Sequence, residues 1–288
     1  MSTLKNPHAP FDAALKTAFE HNIAAALAED VGPGDLTGML VPATQVVQAQ
    51  VIVREDAVLC GAPWFEGVMG QVDPRLSVTW DFAEGDAMPA NSRVCVIHGP
   101  ARALLTAERG ALNFLQLLSG VATATRRYVD LVRGTRAIVL DTRKTLPGLR
   151  LAQKYAVRVG GGANQRLALY DGILIKENHI LAAGGIEAAL TAARQLGAAR
   201  ASVQIEVESL DQLRQALAAG AVSILLDNFT LEQMREAVAI NGNRALLEAS
   251  GGVNAQSVRA IADTGVDRIS IGSLTKDIKA IDYSLRVL

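Results

Sequence analysis

Two rhythms of apolar residues run along this chain. At residues 11–28, Leu15, Phe19, Ile23, Ala26 and Leu27 recur at helical spacing and predict a helix. Residues 45–54 alternate instead, with Val47, Ala49, Val51 and Val53 on one face and Gln48, Gln50, Ile52 and Arg54 on the other. Period two predicts a half-exposed strand. Residues 76–82 and 93–98 read as further strands, set off by turns at Asp73-Pro74 and Gly85-Asp86, so the first hundred residues predict a small sheet with antiparallel character. Pro100 opens a strong helix at 101–118, whose apolar face runs Leu104, Leu105, Leu112, Leu115 and Leu118, and a second helix follows at 121–132.

From residue 137 the pattern changes to strand, helix, strand, helix. Strands are expected at 137–141, 172–176, 202–207, 222–227, 245–249 and 267–271. Helices are expected near 148–158, 185–196, 209–219, 230–240 and 255–264. Repeated βα units imply a parallel sheet with right-handed crossovers. Six strands are too few for a closed eight-stranded barrel, so an incomplete six- to seven-stranded parallel β/α barrel is expected, completed by a neighbouring segment. Residues 274–288 are left to pack back on the first domain. The division is therefore 1–118 with 275–288, and 119–274.

Composition narrows the class. At 288 residues the chain has room for one large domain or two smaller ones. Half of it is hydrophobic and a fifth is charged, as in ordinary soluble enzymes. No apolar run has the length of a membrane span, and residues 1–10 are polar without a signal-peptide core. A cytoplasmic protein with no membrane partner is expected. Cys60 and Cys95 have no metal spacing and form no disulfide framework, and the four histidines are scattered. The net charge of −1 argues against a nucleic-acid partner.

That near-neutral total hides one basic window. Between Arg143 and Lys176 stand Arg143, Lys144, Arg150, Lys154, Arg158, Arg166 and Lys176, against the single acid Asp171. Charge this concentrated collects a polyanion. Arg150, Lys154 and Arg158 sit four apart on a predicted helix, which is the spacing of an exposed stripe. Arg143, Lys144 and Lys176 differ, because they adjoin the carboxyl ends of buried strands, where an unbalanced charge is costly and where α/β folds bind ligands.

The other strand ends carry Asp141, Glu206, Asp227-Asn228, Ser250-Gly251-Gly252 and Ile271-Gly272-Ser273. In a parallel barrel all of these meet at one mouth. The two glycine turns suit backbone N–H groups that cradle phosphate. Glu206 and Asp227 end adjacent strands; they either hold Mg²⁺ and sugar hydroxyls or neutralise Arg143 and Lys144. With no placed nucleophile, the chemistry expected is positioning and charge stabilisation. Arg109, alone in mid-helix, reads as a surface residue or an ion-pair partner, and Asp35, in the Gly-Pro-Asp loop at 29–37, as a cap or turn residue.

Several stretches together resemble the quinolinate phosphoribosyltransferase family. They are Glu108-Arg109 with Ala111-Leu112-Asn113-Phe114, Leu140-Asp141-Thr142-Arg143-Lys144-Thr145, Gly160-Gly161-Gly162-Ala163-Asn164, Leu174-Ile175-Lys176-Glu177-Asn178-His179 and Leu226-Asp227-Asn228. The resemblance implies an N-terminal α/β sandwich and a C-terminal incomplete barrel. It implies transfer of phosphoribosyl from PRPP to quinolinate, with loss of pyrophosphate and CO₂, to give nicotinate mononucleotide in NAD biosynthesis with Mg²⁺. It also implies a homodimer in which Arg109 reaches the quinolinate carboxylates across the interface. By position, Arg143 and Arg166 would bind the pyridine carboxylates, with Thr142 among the substrate contacts. Lys144 and Lys176 would lie near the pyrophosphate and the reacting carbon. Glu206 and Asp227 would contact ribose and Mg²⁺, and Ser250, Gly251, Gly252, Ile271, Gly272 and Ser273 would cradle the 5′-phosphate.

Two positions depart from the family pattern. Asn164-Gln165-Arg166 stands where the family has Asn-His-Arg, and Gly110 stands where it often has Thr. Gln165 is expected to keep a substrate contact and to weaken the pull on a carboxylate or phosphate, since an amide carries no charge. Gly110 bears on helix stability. Three other readings compete: a paralogue from molybdate-transport operons with another acceptor, a Schiff-base aldolase using Lys176, and a non-catalytic binding protein with a decayed site.

Overall fold

The computed structural model describes residues 3–196 and 202–288, so Met1 and Ser2 of the polar N-terminal segment lie outside the described residues. In chain order the elements are α1 (Ala13–Asp30), β1 (Val46–Val53), β2 (Ala57–Val58), α2 (Ala62–Val72), β3 (Ser77–Trp80), β4 (Ala87–Met88), β5 (Arg93–Pro100) and α3 (Ala101–Leu131). Then come β6 (Ile138–Leu140), α4 (Arg150–Val159), β7 (Gly172–Ile175), α5 (Glu177–Ala183), α6 (Ile186–Gln195), β8 (Ser202–Val207) and α7 (Leu210–Ala218). The chain ends with β9 (Ser223–Asp227), α8 (Leu231–Asn241), β10 (Leu246–Ser250), α9 (Val258–Ala262), β11 (Arg268–Ser270), α10 (Ser273–Lys276) and β12 (Tyr283–Val287). The chain forms two compact units. The first comprises Met1–Arg126, Thr145–Gly161 and Thr275–Leu288, and the second Arg127–Lys144 and Gly162–Leu274. Residues 145–161, which the sequence reading assigns to the barrel, cluster with the first unit.

The first unit is an α/β sandwich. Its sheet is antiparallel in the order β12-β1-β5-β3, with Val51 opposite both Cys95 and Leu285. The alternation read at 45–54 is the burial pattern of β1: Ala49, Val51 and Val53 face a core that also holds Trp64, Phe65, Leu104, Leu115 and Tyr155. The C-terminal segment packs back on this sheet, as expected, by adding β12 at its edge. Asp35 is a turn residue, its carboxylate accepting from the Gly38 N–H at 2.8 Å and from the Thr106 hydroxyl at 2.8 Å.

Three expectations change here. The two helices expected at 101–118 and 121–132 are one continuous helix, α3. Gly120 does not break it; a Cβ there would lie 2.4 Å from the Lys279 carbonyl oxygen, so glycine admits the returning C-terminal segment. Lys154, expected on an exposed stripe with Arg150 and Arg158, is only 1% exposed, because α4 is covered on nearly every face, including Gln153, Tyr155, Ala156 and Val157. Helix α2 was not among the expected elements. Its Gly67 meets α1 so closely that a Cβ would lie 2.3 Å from Ile23 Cδ1, and such glycines erase a helical signature in the sequence.

The second unit is the incomplete barrel. All six expected strands form, and they pair in parallel in the order β6-β11-β10-β9-β8-β7. Read cyclically this is chain order with one opening, between β6 and β7. Ala163 continues the edge beside β6: its N–H donates to the Val139 oxygen at 2.9 Å, and the Asp141 N–H donates to its own oxygen at 3.3 Å. From there the chain crosses toward β7, where Arg166 Nη1 donates to the Gly172 oxygen at 3.1 Å. Ile224, Leu226, Leu247, Ala249 and Ile269 are fully or nearly fully buried, as strands of a covered parallel sheet require.

Two glycines of α3 test this account. A Cβ at Gly110 would make an ordinary 3.6 Å contact with Val68 Cγ1. Gly110→Ala is expected to raise unfolding free energy by about 0.5–1 kcal/mol, the helix-propensity gain. Gly120→Ala is expected to lower it by about 1–3 kcal/mol through overpacking. Urea titrations of both variants read the signs; equal effects would contradict the close approach at Lys279.

Candidate active site

The second unit gathers nearly all the expected site residues at the carboxyl ends of its strands. Beyond β6 come Asp141, Thr142, Arg143 and Lys144. The Thr142 hydroxyl accepts from the Lys144 N–H at 3.1 Å and shapes this turn. Ile271 ties the turn to the end of β11, its N–H donating to the Leu140 oxygen at 2.9 Å. Gly272 lies against the same turn, where a Cβ would stand 3.2 Å from Lys144 Cδ.

Beyond β7, Lys176 is held in two ways. Its backbone N–H donates to His179 Nδ1 at 3.0 Å, which fixes the entry to α5. Its ammonium meets Glu206 Oε2, at the end of β8, at 3.0 Å. Half of the Lys176 side chain is exposed against 13% for Glu206, so the pair faces solvent through the lysine. Asp227 ends the next strand. Partial burial, and then the neighbouring Glu206 charge, raise its pKa above the ordinary carboxylate value, while Lys176, Lys144 and a bond from Asn228 oppose the rise. These causes place two carboxylates and two lysines within electrostatic reach of one another.

The arginines form a like-charge pair. Burial, and then the Arg143 charge, lower the Arg166 pKa, with Asp171 opposing. Two guanidiniums that disfavour each other are best relieved by an anion between them. Bidentate carboxylate recognition suits their planar forks.

The glycine turn after β10 is packed too closely for any side chain. Gly251 has φ +101°, and a Cβ there would lie 2.1 Å from Asn228 Oδ1. Asn228 is itself left-handed at φ 55°, takes its N–H to the Ser250 oxygen at 3.0 Å, and donates to Asp227 Oδ2 at 2.9 Å. The turn therefore controls the carboxylate. At the β11 end, Ser273 Oγ is buried with no hydrogen bond among the described residues, which leaves a hydroxyl for a ligand.

Two expected site residues stand elsewhere. Arg109 is exposed on α3 in the first unit and has no ion-pair partner among the described residues. Gln165 lies beneath the mouth. Its Nε2 donates to Gln204 Oε1 at 2.7 Å and to the Glu248 oxygens at 3.1 Å, and its Oε1 accepts from the Arg166 N–H at 2.7 Å. Both amide hydrogens are thus engaged inside the protein, at the residue where the sequence reading expects a substrate contact. Glu248 and Gln204, fully and nearly fully buried, were not singled out in the sequence. The available signal was a polar residue flanked by apolar ones inside a strand expected to be buried on both faces.

For Mg²⁺ the donor set is two adjacent carboxylates. No group of three or more His, Cys, Asp or Glu that could hold a metal occurs among the described residues. One or two carboxylates suffice when substrate phosphates complete the shell, so Glu206 and Asp227 fit an ion that arrives with its substrate.

A half-open β/α barrel whose mouth gathers lysines, an arginine and carboxylates is the kind of site that α/β enzymes use for charged ligands. Comparison with known proteins makes the class definite. The model of the quinolinate phosphoribosyl transferase N-terminal domain matches residues 35–119, and that of the C-terminal domain matches residues 121–286. The chain belongs to the quinolinate phosphoribosyltransferase family. It is 43% identical over 282 residues to the carboxylating nicotinate-nucleotide pyrophosphorylase of Mycobacterium leprae (strain TN), covering 96% of this chain and 97% of that one. It is 35% identical over 285 residues to the decarboxylating quinolinate phosphoribosyltransferase 1b of Nicotiana tabacum, covering 92% and 81%. The solved structure of the nicotinate-nucleotide pyrophosphorylase from Francisella tularensis superposes with a TM-score of 0.92 at 44% identity, covering 100% and 99%.

Gly251→Ala tests the link from turn to carboxylate. The substitution is expected to cost about 1–3 kcal/mol of stability through backbone strain. Ribose 5-phosphate is expected to raise the melting temperature of the unaltered protein, and Gly251→Ala is expected to abolish that rise. A variant that keeps the ligand-induced rise would contradict the role of this turn.

Proposed function

We propose that the protein transfers the phosphoribosyl group of PRPP to the ring nitrogen of quinolinate and releases pyrophosphate and CO₂, forming nicotinate mononucleotide for NAD biosynthesis. The observation that carries this reading is the match to both domains of the family over residues 35–119 and 121–286, together with Arg143, Lys144, Lys176, Glu206 and Asp227 at the carboxyl ends of one parallel sheet. The 5′-phosphate is assigned to Ser250, Gly251 and Gly252 with Ile271, Gly272 and Ser273, supported by the free hydroxyl of Ser273. As the C1–pyrophosphate bond breaks, positive charge grows on the ribose and negative charge on the leaving group. Glu206 and Asp227 favour the first, and Lys144 and Lys176 favour the second. Mg²⁺, when bound at Glu206 and Asp227 with the substrate phosphates, would supply further charge neutralisation. The pyridine nitrogen bonds to C1 and becomes cationic. That cationic ring then accepts the electron pair left by departing CO₂, and a proton replaces it on the ring carbon, so no organic cofactor is required.

The active unit in this reading is a homodimer in which Arg109 serves the second copy's site. Its exposure and lack of an ion-pair partner among the described residues support that use. A cytoplasmic setting accords with two free, buried thiols, Cys60 and Cys95. Among the described residues no helix is long and apolar enough to cross a membrane.

The direct test mixes purified protein with quinolinate, PRPP and Mg²⁺, follows nicotinate mononucleotide and CO₂, and runs nicotinate as a parallel acceptor. Product from quinolinate alone is expected. Absence of product from quinolinate, or equal product from nicotinate, would contradict the assignment.

A further inference from the structure

Glu248 is a carboxylate in mid-strand, on β10, with no solvent exposure. Its partners among the described residues are amides. Gln165 Nε2 lies 3.1 Å from both of its oxygens, and Gln204 Nε2 lies 2.9 Å from Oε2. No lysine, arginine or histidine pairs with it among the described residues. A buried acid of this kind is costly unless its contacts do something specific.

The contacts fix an orientation. A glutamine amide has nearly the same shape when flipped, so only its hydrogen-bond partners decide where N and O point. A carboxylate whose two oxygens both face amide nitrogens accepts only. It therefore turns Nε2 of Gln165 and of Gln204 inward. With Gln204 Nε2 on Glu248, Gln204 Oε1 is left to accept from Gln165 at 2.7 Å, and the three side chains close a ring. The ring leaves Gln165 Oε1 pointing outward, and it takes the Arg166 backbone N–H at 2.7 Å. A flipped Gln165 would present an NH₂ group to that N–H.

The neighbouring backbone is held from a second side. Asp141, also without exposure, accepts from the Gln165 N–H at 2.9 Å and from Asn164 Nδ2 at 2.6 Å. Asp141 thus holds the backbone entering Arg166, while Glu248 holds the side chain that caps it. The Arg166 guanidinium donates to the Gly172 oxygen at 3.1 Å, and the Arg143 charge acts on it.

We infer that Glu248 is a positioning residue for the acceptor half of the site: through the Gln165 amide it sets the backbone of Arg166, and so the aim of the guanidinium that receives the pyridine dicarboxylate. This rests on the functional reading given above, in which Arg166 binds quinolinate. Glu248 touches no substrate. It acts on acceptor affinity: the phosphate turn Ser250-Gly251-Gly252 follows on the same strand, but the Glu248 side chain bonds to Gln165 and Gln204 and not to that turn.

The test is Glu248→Gln, with KM measured separately for quinolinate and PRPP. Either orientation of the new amide sets an NH₂ group against an amide nitrogen, and relief requires Gln165 to release Arg166. KM for quinolinate is expected to rise about tenfold, with KM for PRPP changed by less than about twofold. The exchange variant Gln165→Glu/Glu248→Gln returns a carboxylate to the ring and an acceptor to Arg166, and is expected to restore quinolinate KM to within about threefold of the unaltered protein. A folded Glu248→Gln protein with unchanged quinolinate KM, or with both KM values raised alike, would overturn the inference. If Glu248→Gln does not fold, the exchange variant decides: recovery of folding and of quinolinate KM supports the role, and failure of either overturns it. An unaltered protein that makes no product overturns the functional reading and the acceptor role with it, whereas a working protein beside an indifferent variant overturns the Glu248 role alone.

Discussion

Strands that run in one direction must end on one side. In the second unit β6 through β11 pair only in parallel, so each carboxyl end opens onto the same mouth. The sheet interior is apolar, and the chain places its charges just past the last buried residue of each strand. Arg143 and Lys144 follow β6, Lys176 follows β7, Glu206 lies near the end of β8, and Asp227 ends β9. Their mutual effects are those of a site assembled for ligands of opposite charge: arginine opposes arginine, and carboxylate opposes carboxylate. The opening between β6 and β7 is spanned by the stretch from Ala163 to Gly172, which carries Gln165 and Arg166. On the proposed function, the missing part of the barrel and the acceptor side of the site are the same piece of chain.

The barrel was legible because its strands are short apolar runs ending in charged or glycine-rich turns, a pattern that needs no tertiary information. The first unit was less legible where close packing replaced periodicity. The break expected between 118 and 121 falls at Ser119-Gly120, where the structure shows a continuous helix whose glycine admits the Lys279 backbone. Gly67 hid α2 for a similar reason, since it makes room for Ile23. Lys154 read as solvent-facing from its spacing, and nothing local signals that α4 is enclosed by the first unit.

The site divides along the same line. Strand-end cations and carboxylates are visible as sequence features, because their place follows from the strand alone. Gln165 is visible as a departure from the family pattern, but its partners are not. They sit on β8 and β10, far away in the chain, and only the parallel register brings Gln204 and Glu248 beneath it. A residue whose work is to orient another leaves no mark in spacing or composition.

The most direct measurement is a crystal structure of the protein with quinolinate and a non-hydrolysable PRPP analogue. The account predicts the two pyridine carboxylates on Arg143 and Arg166, the 5′-phosphate between the Ser250-Gly251-Gly252 and Ile271-Gly272-Ser273 turns, and Gln165 still directed at Glu248. A dicarboxylate bound away from both arginines, or a phosphate seated outside those two turns, would contradict it.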